Sequence, residues 1–275
     1  MNTLLGFPNG GVPAFGRMLR EWRARARKSQ LSLATEAGIS TRHLSFLETG
    51  RAQPSREMVQ LLAAMLDVPL GERNALLVAA GYAPAFAERP LGAPELEPVR
   101  RALEYILRQQ EPFPALVIDG EWNIVLKNAA AARIFRLFCG PKRTTNVVRS
   151  VFEPDGLRPS IVNWSAIAGC LVQSLHREVA ATGNEAIVQL RDEVLACPDV
   201  PQCWRTPVPL PACEPIVSME LRKDDLAMTF FSTVTTLATP RDVTLQRLKI
   251  ESFFPADAVT EQTARRLAVP EPIAV

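Results

Sequence analysis

The stretch from residue 29 to residue 55 decides the fold of the first part of the chain, and it reads SQLSLATEAGISTRHLSFLETGRAQPS. Ser29 can cap a short helix that ends at Gly38, a residue that adopts a positive φ without steric cost. Ser40 can then cap a second helix. The positions that would pack these two helices together are apolar: Ala34, Ile39, Leu44 and Leu47. The pattern predicts two short helices joined by a tight turn, with the second helix presented outward.

Further helices are predicted on both sides of this pair. The helix that precedes it has apolar residues at helical spacing: Phe15, Met18, Leu19 and Trp22. Pro54 breaks the chain before a fourth helix, and a fifth follows around Leu76. Residues 83–98 contain four prolines, which disfavour helix. We therefore expect an all-α, five-helix domain over 1–90, with its core at 15–82, and a linker after it.

The length and composition of the chain are those of a folded protein with two domains. It has 275 residues, of which 47% are hydrophobic and 22% are charged, enough for ordinary apolar cores. The first 15 residues lack a basic start followed by an apolar run, and no stretch is apolar enough to span a membrane. We expect a cytoplasmic protein with no membrane partner.

The basic residues are concentrated near the start of the chain. Residues 1–90 hold 11 Lys and Arg against 7 Asp and Glu, a net charge of +4, whereas the remainder has −2. Between Arg17 and Lys28, six basic residues accompany a single acidic one, Glu21. Such a helix can lie along an anionic polymer, or its charges can simply be solvated. The charge pattern alone does not distinguish an anion-binding helix from a solvated one.

The residues after the linker predict a different architecture. ALVID at 115–119 and NIVLK at 123–127 are β-rich runs joined by a short turn, and Asn128 can cap the helix that follows. After a mainly helical middle, three more β-prone runs occur, at residues 216–222, 226–236 and 243–254. The prediction for 91–275 is a five-stranded antiparallel sheet flanked by helices, packed on one face. The whole chain is then α+β.

The sequence from residue 29 resembles the phage-repressor-like, XRE-type helix-turn-helix family. The resemblance is dense and ungapped, and its residues are Ser29-Gln30, Leu33-Ala34, Gly38, Leu44, Leu47-Glu48, Gly50 and Pro54-Ser55. It implies that the second helix enters the major groove of double-stranded DNA. Position by position, Gln30 and Ser40 resemble phosphate or helix-positioning contacts. The residues that resemble base-reading positions are Thr41, Arg42 and Ser45, and Arg51 resembles a phosphate contact.

Two positions of this motif, Phe46 and Glu48, differ in role from the polar DNA contacts around them. Phe46 stands where related proteins often have a polar base-reading residue, so it either contacts a thymine methyl group or turns against the sugar-phosphate edge. Glu48 matches a position that in relatives pairs with an arginine of the first helix, here Arg23. That pair has a structural role, so not every arginine is a DNA contact. A helical hairpin that makes protein contacts is the alternative for the motif as a whole.

The chain as a whole resembles the MmyB-like regulators, whose second domain is a PAS-like ligand-binding module. The matching blocks are ISTRHLSFLETGRAQPSREM, ERNALLVAAGYAP, RPSIVNW and FFSTVTTLATPRDVTLQRLKIESFFPAD. The resemblance implies a transcription regulator with a small apolar ligand, for which a fatty acid is the best precedent. The candidate lining residues, which could equally be plain core, are Val117, Phe135, Trp164, Met219, Leu221, Phe230, Phe231 and Phe253. The candidates for anchoring a carboxylate are Arg133, Arg149 and His176.

Other functions have weaker support in the sequence. There is no nucleotide-binding loop and no nucleophile elbow, and the two histidines lack metal-ligand spacing, so we expect no enzyme, no catalytic or metal residues and no cofactor. Cys197, Cys203 and Cys213 leave open a thiol- or metal-responsive regulator. A ligand-independent repressor whose second domain only dimerises also stays open. Because one helix-turn-helix reads few base pairs, we expect a homodimer on an inverted-repeat operator.

Overall fold

The computed structural model describes residues 14–140, 145–207 and 216–268. The chain separates into two compact units with a boundary between Glu88 and Arg89, and Arg241–Val243 group with the first unit. We call the unit before this boundary the N-terminal unit and the unit after it the C-terminal unit. No helix in the described part of the chain is long and apolar enough to cross a membrane.

The described part of the N-terminal unit folds into the five helices that the sequence predicts. They are α1 (Ala14–Arg25), α2 (Gln30–Glu36), α3 (Thr41–Thr49), α4 (Arg56–Met65) and α5 (Leu70–Ala79). The apolar faces of all five helices meet in one core, which includes Leu19, Leu33, Leu44, Leu62 and Leu76. This packing leaves one side of α3 outside the core.

Serine residues begin three of these helices in the same way. The Ser29, Ser40 and Ser55 hydroxyls accept hydrogen bonds of 3.0–3.1 Å from the backbone N–H three residues later. Each such cap stabilises its helix by about 1 kcal/mol, because it satisfies an otherwise unpaired N–H group. Gly38 has a φ of +66°, as the turn prediction requires. The helix starts are therefore local features that the sequence specifies directly.

The C-terminal unit is built on an antiparallel sheet. Its described strands are β1 (Ala115–Ile118), β2 (Ile124–Lys127), β3 (Met219–Lys223), β4 (Leu226–Thr236) and β5 (Lys249–Pro255). They are ordered β2-β1-β5-β4-β3, and every neighbouring pair is antiparallel. The helices are α6 (Glu97–Gln109), α7 (Ala129–Cys139), α8 (Val147–Phe152), α9 (Trp164–Thr182), α10 (Glu185–Leu195), α11 (Val243–Arg247) and α12 (Ala258–Ala268). The predicted α+β architecture is confirmed.

Both faces of this sheet are covered at β1, so the prediction of helices on one face only is wrong. All four residues of β1 are buried. Leu116 and Ile118 pack with α7, whereas Ala115 and Val117 pack with α6 and the segment before β5. A fully buried strand has apolar residues at successive positions and does not alternate. ALVI has that composition, which is the signal for two covered faces.

Two local features of the C-terminal unit test the sequence reasoning in detail. Asn128 caps α7 as predicted: its Oδ1 accepts from the Ala131 and Ala115 N–H groups at 2.9 and 3.1 Å. The strand predicted over 243–254 is wrong at its start, where α11 forms instead. Leu245 and Leu248 of this segment are buried against β1 and α6. A short helix places both in that core, which local β-propensity does not reveal.

Candidate DNA-reading surface and ligand cavity

The second helix of the motif, α3, presents the predicted DNA-contacting residues on its outer side. Leu44, Leu47 and Glu48 face the core and are buried. The predicted base-reading and phosphate residues outside that buried stripe are Thr41, Arg42, Ser45, Phe46 and Arg51, none of which is buried. Thr41 and Arg42 lie in the first turn of α3, which Ser40 caps. This is the arrangement that a helix needs to reach base edges in a major groove.

Phe46 organises two of the candidate DNA contacts. The Arg42 guanidinium carbon lies 5.3 Å from the centre of the Phe46 ring, and that of Arg51 lies 5.9 Å from it. At these distances a cation is attracted to the ring, by about 0.5–1 kcal/mol at exposed sites. The ring therefore serves as a platform that orders two arginines, a role that the sequence reasoning did not include.

Glu48 joins the first three helices from within the core. Its carboxylate accepts hydrogen bonds from Arg23 Nε and Nη2 at 2.6 and 2.9 Å, so the predicted pair is confirmed. Gln30 Nε2 donates to the same carboxylate at 2.8 Å. This hydrogen bond links α2 to α3, and a phosphate contact of Gln30 stays a prediction. Burial acts to raise the pKa of Glu48, but the hydrogen bonds from Arg23 and Gln30 and the charges of Arg23 and Arg20 outweigh it and lower the pKa.

The basic cluster of α1 is only partly available to a ligand. Arg23 is committed to Glu48, and Lys28 pairs with Glu36. Arg20 lies 3.7 Å from the Glu48 carboxylate but stays about half exposed, at 49% of its side-chain surface. Counting charges along the sequence therefore overstates the positive surface that an anionic partner meets.

The C-terminal unit contains a cavity of about 200 Å³ between its sheet and α7, α8 and α9. The wall is mostly aliphatic and aromatic. Lining residues that the sequence reasoning did not single out include Leu116, Ala131, Ile134, Ile167, Leu171 and Val217. An apolar concave site with a few polar groups is the usual form of a small-molecule site in proteins.

The structure brings five of the eight predicted ligand residues together at this cavity. They are Phe135, Met219, Leu221, Phe230 and Phe253. Val117 belongs to the core on the opposite face of the sheet. Phe231 follows Phe230 on β4 and lies on the opposite face of the sheet. Its ring stacks on that of Phe254, with ring centres 5.6 Å apart. Trp164 packs with Phe152 and Trp204.

Strand alternation explains this division. Neighbouring residues of a strand point to opposite faces, so Phe230 and Phe231 cannot both face the cavity. The same rule would have found two residues that sequence reasoning missed, Ser232 and Glu251. Each lies two positions from a cavity-lining phenylalanine on its strand, and both line the cavity.

Ser232 and Glu251 form a polar pair in the cavity wall. Ser232 Oγ donates a hydrogen bond of 2.8 Å to Glu251 Oε1. Glu251 Oε2 is buried and has no hydrogen-bond partner among the residues that the structure describes. Burial raises the pKa of the Glu251 carboxyl, and the Ser232 hydrogen bond and the Lys249 charge offset this only in part.

The three candidate carboxylate anchors lie elsewhere and have partners. Arg133 Nη2 donates to Glu111 at 2.8 Å, and Arg149 makes a forked pair with Glu193 at 2.9 and 3.1 Å. The remaining candidate, His176, has its Nε2 2.8 Å from the Trp204 carbonyl oxygen. None of the three is among the described residues that line the cavity.

The structure describes two of the three cysteines that the sequence left open as a thiol or metal site. Cys197 is partly buried and Cys203 is exposed, whereas Cys213 lies outside the described residues. Burial raises the pKa of the Cys197 thiol, which lowers its reactive thiolate fraction. Within the described ranges, no group of three or more His, Cys, Asp or Glu side chains is placed to hold a metal ion.

Comparison with known proteins agrees with this division of the chain. A helix-turn-helix domain model matches residues 14–76, and the model of the MmyB-like transcription regulator ligand binding domain matches residues 99–267. The fold and the two matches define a transcription regulator with a helix-turn-helix DNA-binding domain and a ligand-binding domain. The chain belongs to the MmyB-like transcription regulators, and both resemblances noted from the sequence are confirmed.

Two individual proteins are similar to parts of the chain. A Bacillus subtilis (strain 168) protein, the uncharacterized HTH-type transcriptional regulator RghRB, is 42% identical over 117 residues, which are 42% of this chain and 75% of that protein. An RNA-binding light-oxygen-voltage receptor of known structure aligns with 92% of this chain and 61% of its own, at 12% identity and a TM-score of 0.27. A score that low supports no structural argument.

Proposed function

We propose that this regulator binds an inverted-repeat operator as a homodimer, and that a small apolar molecule in the cavity of the C-terminal unit changes its affinity for DNA. In this proposal residues 1–90 are the DNA-binding domain and residues 91–275 the ligand-binding domain. The observation that carries it is the apolar cavity of about 200 Å³ inside a domain of a ligand-binding family. The role is one of binding and involves no catalysis.

The DNA-binding half of the proposal rests on α3. Arg42 is exposed near the start of that helix and is ordered against Phe46. An arginine so placed can donate two hydrogen bonds to guanine O6 and N7, worth about 1–3 kcal/mol of base discrimination. Thr41 and Ser45 flank it on the outer side of α3, and Arg51 is the candidate phosphate contact.

The dimer follows from the size of one reading module. A single helix of the length of α3 contacts only a few base pairs, so affinity and specificity come from two modules spaced about one DNA turn apart. Sedimentation at micromolar concentration should find a dimer, alone and with an operator fragment. A monomer that binds one half-site with full affinity would contradict this part of the proposal.

The size and lining of the cavity set what it can hold. A volume of about 200 Å³ lies below the roughly 300–1,000 Å³ of sites for drug-sized ligands. Each buried methylene contributes about 0.8 kcal/mol, so even a short chain gains useful affinity before ordering costs. A fatty acid is a candidate through its apolar chain, although its carboxylate finds no basic side chain among the described lining residues.

Binding can be tested with fatty acids and alcohols of graded length. We expect thermal stabilisation that rises with chain length and then falls when the chain exceeds the cavity. Ile167→Trp, which fills the cavity, should abolish that stabilisation. The control Val259→Trp alters a position on α12 that is 68% exposed and should leave it unchanged. Stabilisation that is equal in both variants, or that is absent with every compound, would contradict a ligand site here.

A further inference from the structure

The cavity wall is apolar apart from a small polar region. Of its lining residues, only Ser150, Cys170, Ser232 and Glu251 have polar or ionisable side chains. The Ser150 hydroxyl is already used, because it donates to the Val147 carbonyl oxygen at 2.7 Å. Glu251 is the one acidic residue among the described lining residues, and no basic residue is among them.

Strand pairing places Glu251 on the cavity face of the sheet, beside residues of β4 that are exposed to solvent. It lies on β5, an interior strand of the sheet, opposite Leu116 of β1 and Val234 of β4. Residues that pair directly in adjacent antiparallel strands share one face of the sheet. Glu251 therefore shares the cavity face with Leu116 and with Phe253, two residues further along β5.

The hydrogen bonds of this carboxyl are incomplete. Oε1 accepts from Ser232, whereas Oε2 is buried and has no partner in the described part of the chain. Lys249 shares its face of β5, but the Lys249 ammonium pairs with Glu178 and lies 4.8 Å from the centre of the Trp122 ring. A buried polar atom without a hydrogen-bond partner is destabilising. A ligand that supplies the missing hydrogen bond removes part of that destabilisation.

The protonation of Glu251 decides which ligand group fits. Burial favours the neutral carboxyl, and Ser232 already donates to Oε1, so the proton of a neutral carboxyl belongs on Oε2. An O–H group on Glu251 is a hydrogen-bond donor in the wall of an otherwise mainly apolar cavity. Its natural partner is an uncharged oxygen acceptor, such as a carbonyl or a hydroxyl group.

We propose that Glu251, held by Ser232, is the polar recognition group of the cavity and selects a compact, uncharged, mainly apolar ligand with one carbonyl or hydroxyl oxygen. The inference rests on the proposed function, since it names the class of ligand for the same cavity. A carboxylate is disfavoured at this position, because its buried charge would meet an acidic side chain, and the nearby Lys249 is already paired with Glu178. The polar pair thus separates alcohols, ketones and amides from the ionised acids of equal length.

The test uses hexanol, hexanamide and hexanoate as probes of equal chain length. Isothermal titration calorimetry with the full chain at neutral pH should find the alcohol and the amide bound about tenfold more tightly than the acid. Glu251→Leu should remove this preference, and Glu251→Gln, which can still donate from its amide, should keep it. Glu220→Leu, at an exposed position on β3 that does not line the cavity, is the matched control, and circular dichroism checks that each variant is folded.

The outcomes separate the two proposals. Equal binding of all three probes, tighter binding of hexanoate, or an unchanged preference in Glu251→Leu would overturn the role of Glu251 and leave the cavity as a ligand site. Failure of every probe to bind, in the wild type and in all variants, would contradict the proposed function as well. Loss of the preference in Glu251→Leu together with its retention in Glu251→Gln supports the inference.

Discussion

At the scale of single residues, the N-terminal unit depends on a charge that is buried but fully paired. Glu48 is inaccessible to solvent and is held by Arg23 and Gln30, which come from two other helices. Removing one partner of a buried pair costs about 3–5 kcal/mol, because the other charge is left uncompensated. The pairing of Arg23 could be predicted from the motif, whereas the contact from Gln30 required the three-dimensional position of α2.

We therefore expect Arg23→Met to lower the free energy of unfolding of the N-terminal unit by about 3 kcal/mol. The control is Arg20→Met, because Arg20 is half exposed and 3.7 Å from the same carboxylate. It should cost less than about 1 kcal/mol. Urea unfolding of the full chain, followed by circular dichroism, measures both. Equal losses of unfolding free energy in the two variants would contradict the larger contribution expected of the Arg23–Glu48 pair.

At the same scale, Arg42 is the residue whose loss should alter base preference. Arg42→Ala should weaken operator binding by about 1–3 kcal/mol and relax the preference at one base pair. Arg51→Ala should weaken binding to all sequences alike and reduce the salt dependence, as loss of a phosphate contact does. Selection from randomised DNA at fixed salt compares them. An unchanged preference at every position in Arg42→Ala, with the protein folded, would remove it from the base-reading residues.

Glu251 makes the stability of the C-terminal unit depend on pH in a defined direction. Because its pKa is raised on folding, its contribution is fully present below the unfolded pKa, about 4.3, and is lost as the pH rises through the folded pKa. Glu251→Gln should therefore gain stability relative to the wild type as the pH rises from about 4 toward neutrality, because the unfolded carboxyl ionises from about pH 4.3 upward while the folded one resists ionisation. Lys249, Glu178 and Ser232, which surround the group, are unchanged in the variant. A difference in unfolding free energy that is constant across this range would contradict the prediction.

At the scale of elements, close approach between helices sets limits that the sequence pattern does not reveal. Gly16 lies on the buried side of α1, where a Cβ would be 2.6 Å from the Glu48 carbonyl oxygen and 2.7 Å from that of Leu47. Helical spacing predicts α1 correctly, and it also marks position 16 as a helix interior, where glycine is normally unfavourable. Only the packing of α1 on the end of α3 explains the glycine.

Gly16→Ala should consequently destabilise the N-terminal unit by about 1–3 kcal/mol, in spite of the better helix propensity of alanine. Gly92→Ala is the matched control, since a Cβ there has no atom within 4 Å. It should be neutral or slightly stabilising. Thermal unfolding of the two variants decides the matter. A gain of stability in Gly16→Ala would mean that α1 can move away from α3 at little cost.

The strands show what the sequence could and could not predict about the ligand site. The β-prone runs identified most of the strand regions, and four of the five correctly predicted cavity-lining residues lie on β3, β4 and β5, whereas the fifth, Phe135, lies on α7. The alternation rule, applied to β4 and β5, would have excluded Phe231 and included Glu251. The start of β5 depended on contacts of the α11 segment with α6 and β1, which lie far earlier in the sequence. Burial that results from contacts between distant segments leaves no pattern in the local sequence.

At the scale of the whole molecule, the proposal joins two binding events. A ligand can shift DNA affinity by no more than its differential affinity for the states of the regulator, and couplings are typically about 1–3 kcal/mol. By linkage, operator DNA must change ligand affinity by the same factor. The cavity in the C-terminal unit and the reading surface on α3 are the two sites between which this coupling has to be found.

The most direct test is the operator dissociation constant, measured by fluorescence anisotropy at fixed salt during a titration with the tightest-binding alcohol or acid of the graded series. The account predicts a change of about 5–150-fold at saturation in the wild type and in Val259→Trp, and no change in the cavity-filled Ile167→Trp. An operator affinity that is unaffected by a ligand shown to bind, or that responds equally in Ile167→Trp, would contradict the claim that the cavity controls DNA binding.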